Sequence, residues 1–400
     1  MRCSWLSQRA QVTKWACTKG WSGRPKEVNP TRYNLWPATC RTATAASTSK
    51  TISPPDPCRA ATTLNRVRAA PPEEFETGAL IGFVADGWGF DVDSADYAAV
   101  GGGSYHWVVR DRKGTRAFVT VDELERKPWL KDKRESLFDG LRRAFDTAAA
   151  LRDGGLGFVV APILTNSGET LRRIGQRHTI ALFPFVDGQT GQFGRYDTAE
   201  RAAVVKMLAE LHQATPVVAS VAGSTGLELP GRRQIEAALQ ELNQTWLGGP
   251  FSEPAREALA GQASDVAELM ALADRLAADV ARRGGEWVVT HGEPHAGNVM
   301  WTSESYVLVD WDTVALAPPE RDLWMVVDDA GAEASYADAT GHEVDQAAVD
   351  FFRLTWDLKD LATCIDVMRA PHRRSEDTLR EFEGLKTCVA IRDQWAALLE

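Results

Sequence analysis

The sequence predicts an α+β fold in which a strand-rich part precedes a larger, mainly helical part. Short apolar runs separated by turn residues occupy positions 97–121, a pattern typical of a small sheet. Apolar residues recur at helical spacing over 199–212 and through most of the chain after Pro230. A strand, loop, strand pattern interrupts the helical part at 287–310. We therefore expect two structural parts, with a polar loop between short strands in the second.

The strand-rich part contains three predicted strands, at residues 97–100, 105–109 and 117–121. Gly102, Gly103 and Ser104 lie in the flexible loop between the first two strands. The backbone amides of such a loop, with the Ser104 hydroxyl, could cover the phosphates of a nucleotide. A Gly-Gly-Gly-Ser turn is more often a plain hairpin, so the loop taken alone leaves both interpretations open.

Further elements follow from periodicity. Residues 135–146 carry apolar positions at helical spacing and are predicted to form a helix after the third strand. Residues 179–188 form an apolar strand that Pro184 breaks and Gly188 closes. The helices of the second part are predicted at residues 199–212, 233–247, 253–281, 345–368 and 375–399.

The most informative segment is the run His-Gly-Glu-Pro-His-Ala-Gly-Asn at residues 291–298, followed by Asp310-Trp311-Asp312. Predicted strands at 287–290 and 299–301 flank the run, and a return strand at 306–309 follows a turn. Asn298 and Asp310 should therefore face each other across a hairpin. The carboxylates and the amide of this segment are the residue types that phosphoryl transfer needs. The reaction uses a carboxylate to orient a hydroxyl and oxygen ligands to hold Mg²⁺ against phosphates.

This segment resembles the catalytic and metal-binding loops of the aminoglycoside phosphotransferase and choline kinase family, including its spectinomycin phosphotransferase-like branch. The family pattern is His-Gly-Asp, four residues, Asn, then an apolar strand that ends in Asp-Trp or Asp-Phe plus an acid. The chain departs from it at Glu293, where the family has Asp. The resemblance implies a protein-kinase-like fold with two lobes, a nucleotide-binding N-lobe at 71–187 and a catalytic C-lobe at 188–400.

The resemblance also implies roles for the polar residues. Glu293 takes the place of the catalytic Asp, which orients the acceptor hydroxyl and accepts its proton, and His291 braces the loop. The metal ligands are Asn298 and Asp310, with Asp312 as a further metal or supporting group. Glu293 puts full activity in question, because one extra methylene moves a positioned carboxylate by roughly 1 Å.

Two nucleotide contacts are expected on the N-lobe side. The segment 179–188 resembles the inter-lobe hinge of these kinases, which places Phe183 and Phe185 beside the adenine. The family also carries a lysine on the third strand for the α- and β-phosphates, and Thr120 occupies that position here. The nearby cations Arg110, Arg116, Lys127 and Lys131 are interpreted as solvated surface charges in preference to a substitute. Glu135 is a candidate for the carboxylate partner of such a cation, and an exposed acid at a helix start, favoured by the helix dipole, is the alternative.

The acceptor site is expected at the helical end of the larger lobe. Asp357 and Asp360, with Asp366 beyond them, lie near Trp356 and could bind substrate amines. A solvated helical face is the simpler interpretation of these three acids. Asp322 is explained as a helix start, and His212 is expected to be structural.

The first 70 residues differ in composition from the rest. They hold 12 Lys+Arg and 2 Asp+Glu, whereas residues 71–400 hold 33 and 53, a net charge of −20. They also carry four cysteines, Cys3, Cys17, Cys40 and Cys58. Three interpretations stay open: a transit-type targeting segment, a disordered basic tail, or a start site assigned too far upstream, so that the stretch is not made. The compositional break near residues 68–72 favours the third.

The charge and hydropathy of the sequence limit the kinds of partner that we expect. An acidic body argues against nucleic acid and suits a cationic substrate, because its summed field concentrates cations. The sequence has no signal-peptide apolar core and no apolar run of about 18 residues. We therefore expect no membrane partner, and we expect a cytoplasmic location.

The predicted function is transfer of the γ-phosphoryl group of ATP, or GTP, with Mg²⁺, to a hydroxyl of a small and cationic molecule such as an aminoglycoside or aminocyclitol. A kinase for a metabolite alcohol such as choline, thiamine or homoserine is the alternative within the fold. The alternative of another class is a non-catalytic nucleotide-binding protein, because Glu293 and Thr120 replace the usual acid and lysine.

Overall fold

The computed structural model describes residues 68, 70–72, 75–127, 134–191, 196–327 and 329–399. Most of the predicted N-terminal extension and Lys131 lie outside the described residues. Glu135 falls within a described helix, but its side chain lies outside what is described.

The N-terminal lobe contains five strands, β1 (Val92–Ala98), β2 (Tyr105–Asp111), β3 (Arg116–Glu123), β4 (Arg172–Ile174) and β5 (His178–Pro184). They form one antiparallel sheet in the order β1-β2-β3-β5-β4. Alternation along β3 places Val119 and Val121 on one face and Thr120 and Asp122 on the other.

Two helices cover this sheet. Helix α1 (Thr77–Trp88) packs Leu80 and Val84 against the face that carries Val119 and Val121. Helix α2 (Arg134–Asp153) covers the opposite face, where Phe145 contacts Phe183. The sequence did not predict α1, because three glycines in twelve residues lower its helix propensity.

Two small sheets lie at the start of the C-terminal lobe. The first pairs β6 (Gly188–Thr190) with β8 (Val299–Thr302), and β8 with β9 (Tyr306–Leu308). The second pairs β7 (Val288–Thr290) with β10 (Ala315–Ala317). The predicted hairpin is therefore present, with Val299 opposite Leu308. It holds the two ends of the polar motif side by side.

The remaining lobe is helical. Its helices are α3 (Thr198–Gln213), α4 (Thr215–Val218), α5 (Arg232–Gln240), α6 (Ser252–Gly261), α7 (Ala263–Arg283), α8 (Glu320–Leu323), α9 (Ala330–Thr340), α10 (Gln346–Arg369), α11 (Glu376–Val389) and α12 (Ala396–Leu399). Helix α10 packs against α7 and α11 around the largest buried apolar cluster. A second cluster packs α3 beneath the hairpin. The α+β architecture expected from the sequence is confirmed.

Three helical predictions were wrong in detail. The single helix expected at 253–281 is two helices, because the chain breaks at Gln262 after the weak helix former Gly261. The helix expected at 233–247 ends at Gln240. The helix expected at 375–399 ends at Val389, and a 3₁₀ turn at Arg392–Trp395 separates it from α12. Helix α9 was missed because only Ala332 and Tyr336 are buried along it, which leaves no apolar periodicity to detect. Within the described residues, none of the helices has the length and apolar character needed to span a bilayer.

Candidate active site

The loop between β7 and β8 carries the polar residues of the motif. The Asn298 backbone N–H donates to the His295 carbonyl (2.8 Å), and Asn298 Nδ2 donates to the Glu293 carbonyl (3.0 Å). The Val309 amide donates to the Asn298 carbonyl (2.9 Å), which joins the loop to the hairpin. Because Nδ2 is committed to the loop, Oδ1 is the Asn298 atom that can ligate a cation.

Asp322 of α8 fixes the start of the same loop. Its fully buried carboxylate accepts from the His291 amide (2.8 Å), the Gly292 amide (2.6 Å) and His212 Nε2 (3.1 Å). Burial alone would raise the pKa of Asp322, but the hydrogen bond and charge of His212 outweigh it and the pKa is lowered. The sequence interpretation of Asp322 as a helix start missed these contacts, because the loop it holds lies about 30 residues earlier.

His291 is wholly buried and uses both ring nitrogens. Its Nδ1 accepts from the Glu293 amide (3.2 Å), so Nε2 is the donor to the Val309 carbonyl (3.0 Å). The ring also meets Trp311 edge to face, with centroids 4.7 Å apart. Burial lowers the pKa of His291, which keeps the ring neutral. These contacts favour bracing of the loop over proton transfer.

Glu293 forms an ion pair that the motif does not contain. Its Oε1 lies 2.7 Å from Nζ of Lys359 on α10, and each side chain keeps about a fifth of its surface exposed (19% and 20%). Burial would raise the pKa of Glu293, but the Lys359 ammonium outweighs it and the pKa lies at about 2. Glu293 is therefore ionised throughout the ordinary pH range.

The hairpin is followed by two carboxylates, Asp310 and Asp312, and it joins Asn298 to Val309, the residue before Asp310. Asp310 follows β9 and has a φ of 66°, in the left-handed region that residues other than glycine rarely adopt. Asp312 lies in a short 3₁₀ turn and is buried. Loss of hydration and the charge of Asp312 raise the pKa of Asp310, and burial raises that of Asp312. Burial is the main cause of both shifts, and neighbouring negative charges add to it.

This set suits a hard cation. In the described part of the chain, no three His, Cys, Asp or Glu side chains are arranged around one metal position. The set here is two carboxylates and one amide oxygen, which fits Mg²⁺ because this ion usually takes one or two carboxylates and completes its shell with phosphate oxygens and water. A bound cation would also lower the pKa values of Asp310 and Asp312, because its charge would offset the cost of burying ionised carboxylates.

Lys127 completes this cluster from the N-terminal lobe. Its side chain is 1% exposed, with Nζ 2.5 Å from Asp312 Oδ2 and 3.0 Å from Asp122 Oδ1. The interpretation of Lys127 as a solvated surface charge was therefore wrong. Burial would lower the pKa of Lys127, but Asp122 and Asp312 outweigh it and the pKa is raised, so the ammonium stays charged.

The glycine-rich loop lies close to the same cation. Gly102 and Gly103 form the bend between β1 and β2, and a Cβ added to Gly103 would lie 3.9 Å from Lys127 Nζ. The Ser104 hydroxyl donates to Asp122 Oδ1 (2.5 Å). The structure thus brings the predicted phosphate loop to the turn that carries Asp312, with the Ser104 hydroxyl engaged by Asp122.

The hinge segment places its two phenylalanines differently. Phe183 is buried and meets Phe145 of α2 edge to face, with centroids 5.5 Å apart. Phe185 is half-buried, and the Arg116 guanidinium lies 4.0 Å from its ring centroid. Since the Phe183 ring belongs to the core between the sheet and α2, its contribution to a nucleotide site would come from its backbone.

A cavity of about 180 Å³ opens beside Glu293. One wall is a single face of α10, and the other walls come from α2, the loop before α5, the loop after β7, the turn before β10 and the segment of α8. Its side chains include four aromatic rings and six charged groups, namely Trp324, Phe351, Phe352, Trp356, Arg143, Glu228, Glu293, Asp312, Arg321 and Lys359. Three of those charges are positive and three are negative.

The three candidate amine ligands lie on α10 but away from this cavity. The helix face that lines the cavity carries Phe352, Trp356 and Lys359, and Asp357 and Asp360 are rotated off that face. Burial and the Asp360 charge raise the pKa of Asp357 to about 7. The structure does not bring Asp357, Asp360 or the more distant Asp366 to the Glu293 carboxylate.

A comparison with protein-family models identifies the family of the chain. Residues 91–362 match the model described as the phosphotransferase enzyme family. The chain belongs to this family. The match runs from β1 of the sheet to the middle of α10, so it includes the glycine-rich loop, Lys127, the polar motif and Lys359.

Among curated proteins, protein StrN of Streptomyces griseus is 26% identical to this chain over 264 residues. The aligned region covers 64% of this chain and 79% of StrN. Solved structures extend the comparison to the fold. A spectinomycin phosphotransferase, APH(9)-Ia, solved with ADP and spectinomycin, superposes with a TM-score of 0.61 at 16% identity, over 80% of this chain and 98% of that one.

Two other solved kinases share the fold. Amicoumacin kinase hAmiN, solved with AMP-PNP and Ca²⁺, gives a TM-score of 0.52 at 14% identity, over 80% of this chain and 94% of that one. The microcompartment-associated aminopropanol kinase gives 0.53 at 14% identity, over 80% and 98%. The protein-kinase-like fold expected from the sequence is confirmed, and the chain is a small-molecule phosphotransferase.

Proposed function

We propose that this phosphotransferase moves the γ-phosphoryl group of a nucleoside triphosphate to a hydroxyl of a small molecule, with Glu293 as the group that orients the hydroxyl. The observation that carries this proposal is the position of the Glu293 carboxylate. It lines the cavity of about 180 Å³, and its charge contributes to the raised pKa values of Asp310 and Asp312 in the proposed metal set. An oriented hydroxyl there would lie beside bound phosphates.

The electron and proton balance is simple. The acceptor oxygen forms a bond to the γ-phosphorus while the bond from that phosphorus to the bridging oxygen breaks, and the nucleoside diphosphate leaves with the electron pair. The hydroxyl proton passes to Glu293 and then to solvent. A carboxylate with a pKa of about 2 is a weak base, so Glu293 holds the hydroxyl first and takes its proton only as the new bond forms.

The nucleotide is proposed to lie between the lobes. Backbone groups of residues 183–187 would hydrogen-bond the base, and the glycine-rich loop would cover the phosphates. Support comes from the spectinomycin phosphotransferase and the amicoumacin kinase, which were solved with ADP and AMP-PNP. ATP and GTP are both candidates, because the proposed contacts to the base come from the backbone and do not indicate which base is preferred.

Mg²⁺ is proposed to bind at Asn298, Asp310 and Asp312, where it would neutralise phosphate charge. The residues of the chain prepare that position in two ways. The loop hydrogen bond to Asn298 Nδ2 reserves its oxygen for a cation, and the left-handed backbone at Asp310 turns the chain sharply after β9.

For the acceptor, we propose an aminocyclitol-like molecule with several hydroxyls and few amines. The aromatic side chains Trp324 and Trp356 suit a ring with one or two cationic groups. Glu228 adds a carboxylate for an amine, while Arg143 and Arg321 oppose a dense positive charge. The spectinomycin bound in the similar structure is consistent with this choice.

A metabolite amino alcohol is the second candidate. The cavity of about 180 Å³ is smaller than ordinary ligand pockets, which span roughly 300–1,000 Å³. A molecule of that size, with one ammonium at Glu228 and one hydroxyl at Glu293, would fit the same chemistry. The structural similarity to an aminopropanol kinase is consistent with it.

The test is nucleotide consumption by the full-length protein. ATP and GTP would be supplied with Mg²⁺ against aminocyclitols, aminoglycosides and amino alcohols, and phosphorylated product identified by mass spectrometry. Acceptor-dependent turnover that Glu293→Gln removes supports the proposal and names the acceptor class. Nucleotide binding without turnover across all three classes would favour the non-catalytic alternative.

A further inference from the structure

The third strand lacks the lysine that the family carries. Thr120 occupies that position on the face of β3 opposite Val119 and Val121. Its hydroxyl lies 3.2 Å from His106 Nδ1, and burial lowers the pKa of His106 to about 4, so the ring is neutral. Neither side chain at this position carries positive charge, although a triphosphate requires it.

The ammonium of Lys127 is nevertheless buried beside Asp122 on the same strand. Asp122 follows Thr120 by two residues and therefore lies on the same face of β3, about 7 Å further along. Its Oδ1 is 3.0 Å from Nζ of Lys127, which follows the 3₁₀ turn at the end of the strand. The lysine side chain thus folds back from the turn toward the face that Thr120 occupies.

The contacts of Lys127 connect the parts of a nucleotide site. Its Nζ lies 2.5 Å from Asp312 in the metal-binding turn and near the Cβ position of Gly103 in the glycine-rich loop. Ser104 of the same loop donates to Asp122, the second carboxylate beside the ammonium. Loop, strand and metal turn therefore converge on one positive charge.

We propose that Lys127 binds the nucleotide phosphates, reaching the cleft from the turn after β3 and replacing the missing strand lysine. The inference rests on the proposed phosphotransferase function. A phosphate that shares a cation with Asp310 and Asp312 would lie within a few ångströms of Lys127 Nζ, where opposite charges interact strongly. Asp122 is the partner that keeps the ammonium in place. The sequence alone suggests Glu135, on α2, for this role.

A purely structural salt bridge is the competing explanation, and nucleotide affinity separates the two. Dissociation constants for Mg·ATP, Mg·ADP and adenosine would be measured by calorimetry on the full-length wild type, Lys127→Met and Lys127→Arg. A phosphate ligand predicts that Lys127→Met weakens Mg·ATP binding about tenfold or more, because a charge-assisted hydrogen bond is lost. Adenosine affinity should stay within about twofold, since adenosine has no phosphate.

Two further variants sharpen the test. Thr120→Lys combined with Lys127→Met returns the charge to the strand and should recover most of the Mg·ATP affinity. Lys113→Met removes one positive charge from the exposed turn after β2 and should leave all three affinities unchanged. If Lys127→Met alone does not fold, Asp122→Asn with Lys127→Met removes the cation together with its partner and carries the same comparison.

The outcomes are distinguishable. Unchanged Mg·ATP affinity in folded Lys127→Met, or an equal loss for adenosine and Mg·ATP, would overturn the assignment of Lys127 while leaving the proposed function standing. A wild-type protein that binds neither Mg·ATP nor Mg·ADP would overturn the proposed function, and the Lys127 assignment with it.

Discussion

Glu293 and Lys359 are 66 positions apart in the sequence, yet Oε1 of one lies 2.7 Å from Nζ of the other. The pair joins the loop between β7 and β8 to α10, the helix that also forms a wall of the cavity beside Glu293. One helix therefore sets both the charge state of the proposed catalytic carboxylate and the shape of the space in front of it.

Lys359→Met should move the acid limb of the pH–rate profile upward. With Lys359 present the pKa of Glu293 lies at about 2. Without the ammonium, burial, the largest single cause, is opposed only by the smaller contributions of His295 and His291, so the pKa should rise well above that value. Activity needs the ionised carboxylate, so the variant should lose kcat/KM as pH falls through that raised pKa, whereas the wild type should keep it.

The matched control is Lys386→Met, which removes a lysine from an exposed pair with Glu383 on α11. Its profile should coincide with the wild type. An acid limb that stays in place in Lys359→Met would show that Lys359 does not control the ionisation of Glu293.

Asp310→Ala should remove the Mg²⁺ dependence of nucleotide binding. Two ligands, Asn298 and Asp312, would remain, which is too few protein oxygens to hold the ion in a defined position. Titration of ATP affinity against Mg²⁺ concentration measures the effect, and adenosine affinity serves as the internal control. A persisting Mg²⁺ dependence would place the ion elsewhere.

Asp322→Asn should lower the free energy of unfolding by about 3 kcal/mol, because a buried, hydrogen-bonded charge is lost. The pKa of Asp322 is lowered in the folded state. Its contribution to stability is therefore present above the unfolded pKa of about 3.9 and disappears as pH falls through the lower folded value.

Urea unfolding at pH 7, and at several points below pH 5, would measure this contribution. Asp338→Asn, on the exposed side of α9, is the control and should stay within about 0.5 kcal/mol of the wild type. A similar free energy of unfolding for both variants would remove Asp322 as the brace of the loop.

Truncation of the N-terminus should lower the melting temperature only when it removes Arg68. Its amide donates to the Gly101 carbonyl (3.0 Å), and its carbonyl accepts from the Tyr97 hydroxyl (2.8 Å). Removal of residues 1–66 should leave the melting temperature and nucleotide affinity unchanged, whereas removal of residues 1–70 should lower the melting temperature by several degrees. Equal melting temperatures for the two truncations would contradict this anchoring role.

The sequence was sufficient for the parts of the site that are close together along the chain. Asn298 and Asp310 follow from one hairpin, whose strands and turn have clear local signals. The α+β architecture followed from the change in period from strands to helices. Helix α9 and the break at Gln262 were missed because their local residues carry weak or conflicting propensities.

Lys127, Lys359 and Asp322 could not be placed from the sequence, because each acts through a partner in another element. The signal at Lys127 was a cation shortly after a strand that lacked one, but position alone does not distinguish a buried ammonium from a solvated one. The face of α10 that carries Trp356 and Lys359 was equally hidden, since Asp357 and Asp360 offered a more obvious charge pattern on the same helix.

The most direct test of the account is acceptor-dependent release of nucleoside diphosphate by the wild type and Glu293→Gln at pH 7. We predict that the wild type turns over with at least one aminocyclitol or amino alcohol. Glu293→Gln should keep its affinity for ATP but lose turnover by about 10²-fold or more. Intact turnover in Glu293→Gln would contradict the central claim, because another group would then orient and deprotonate the acceptor.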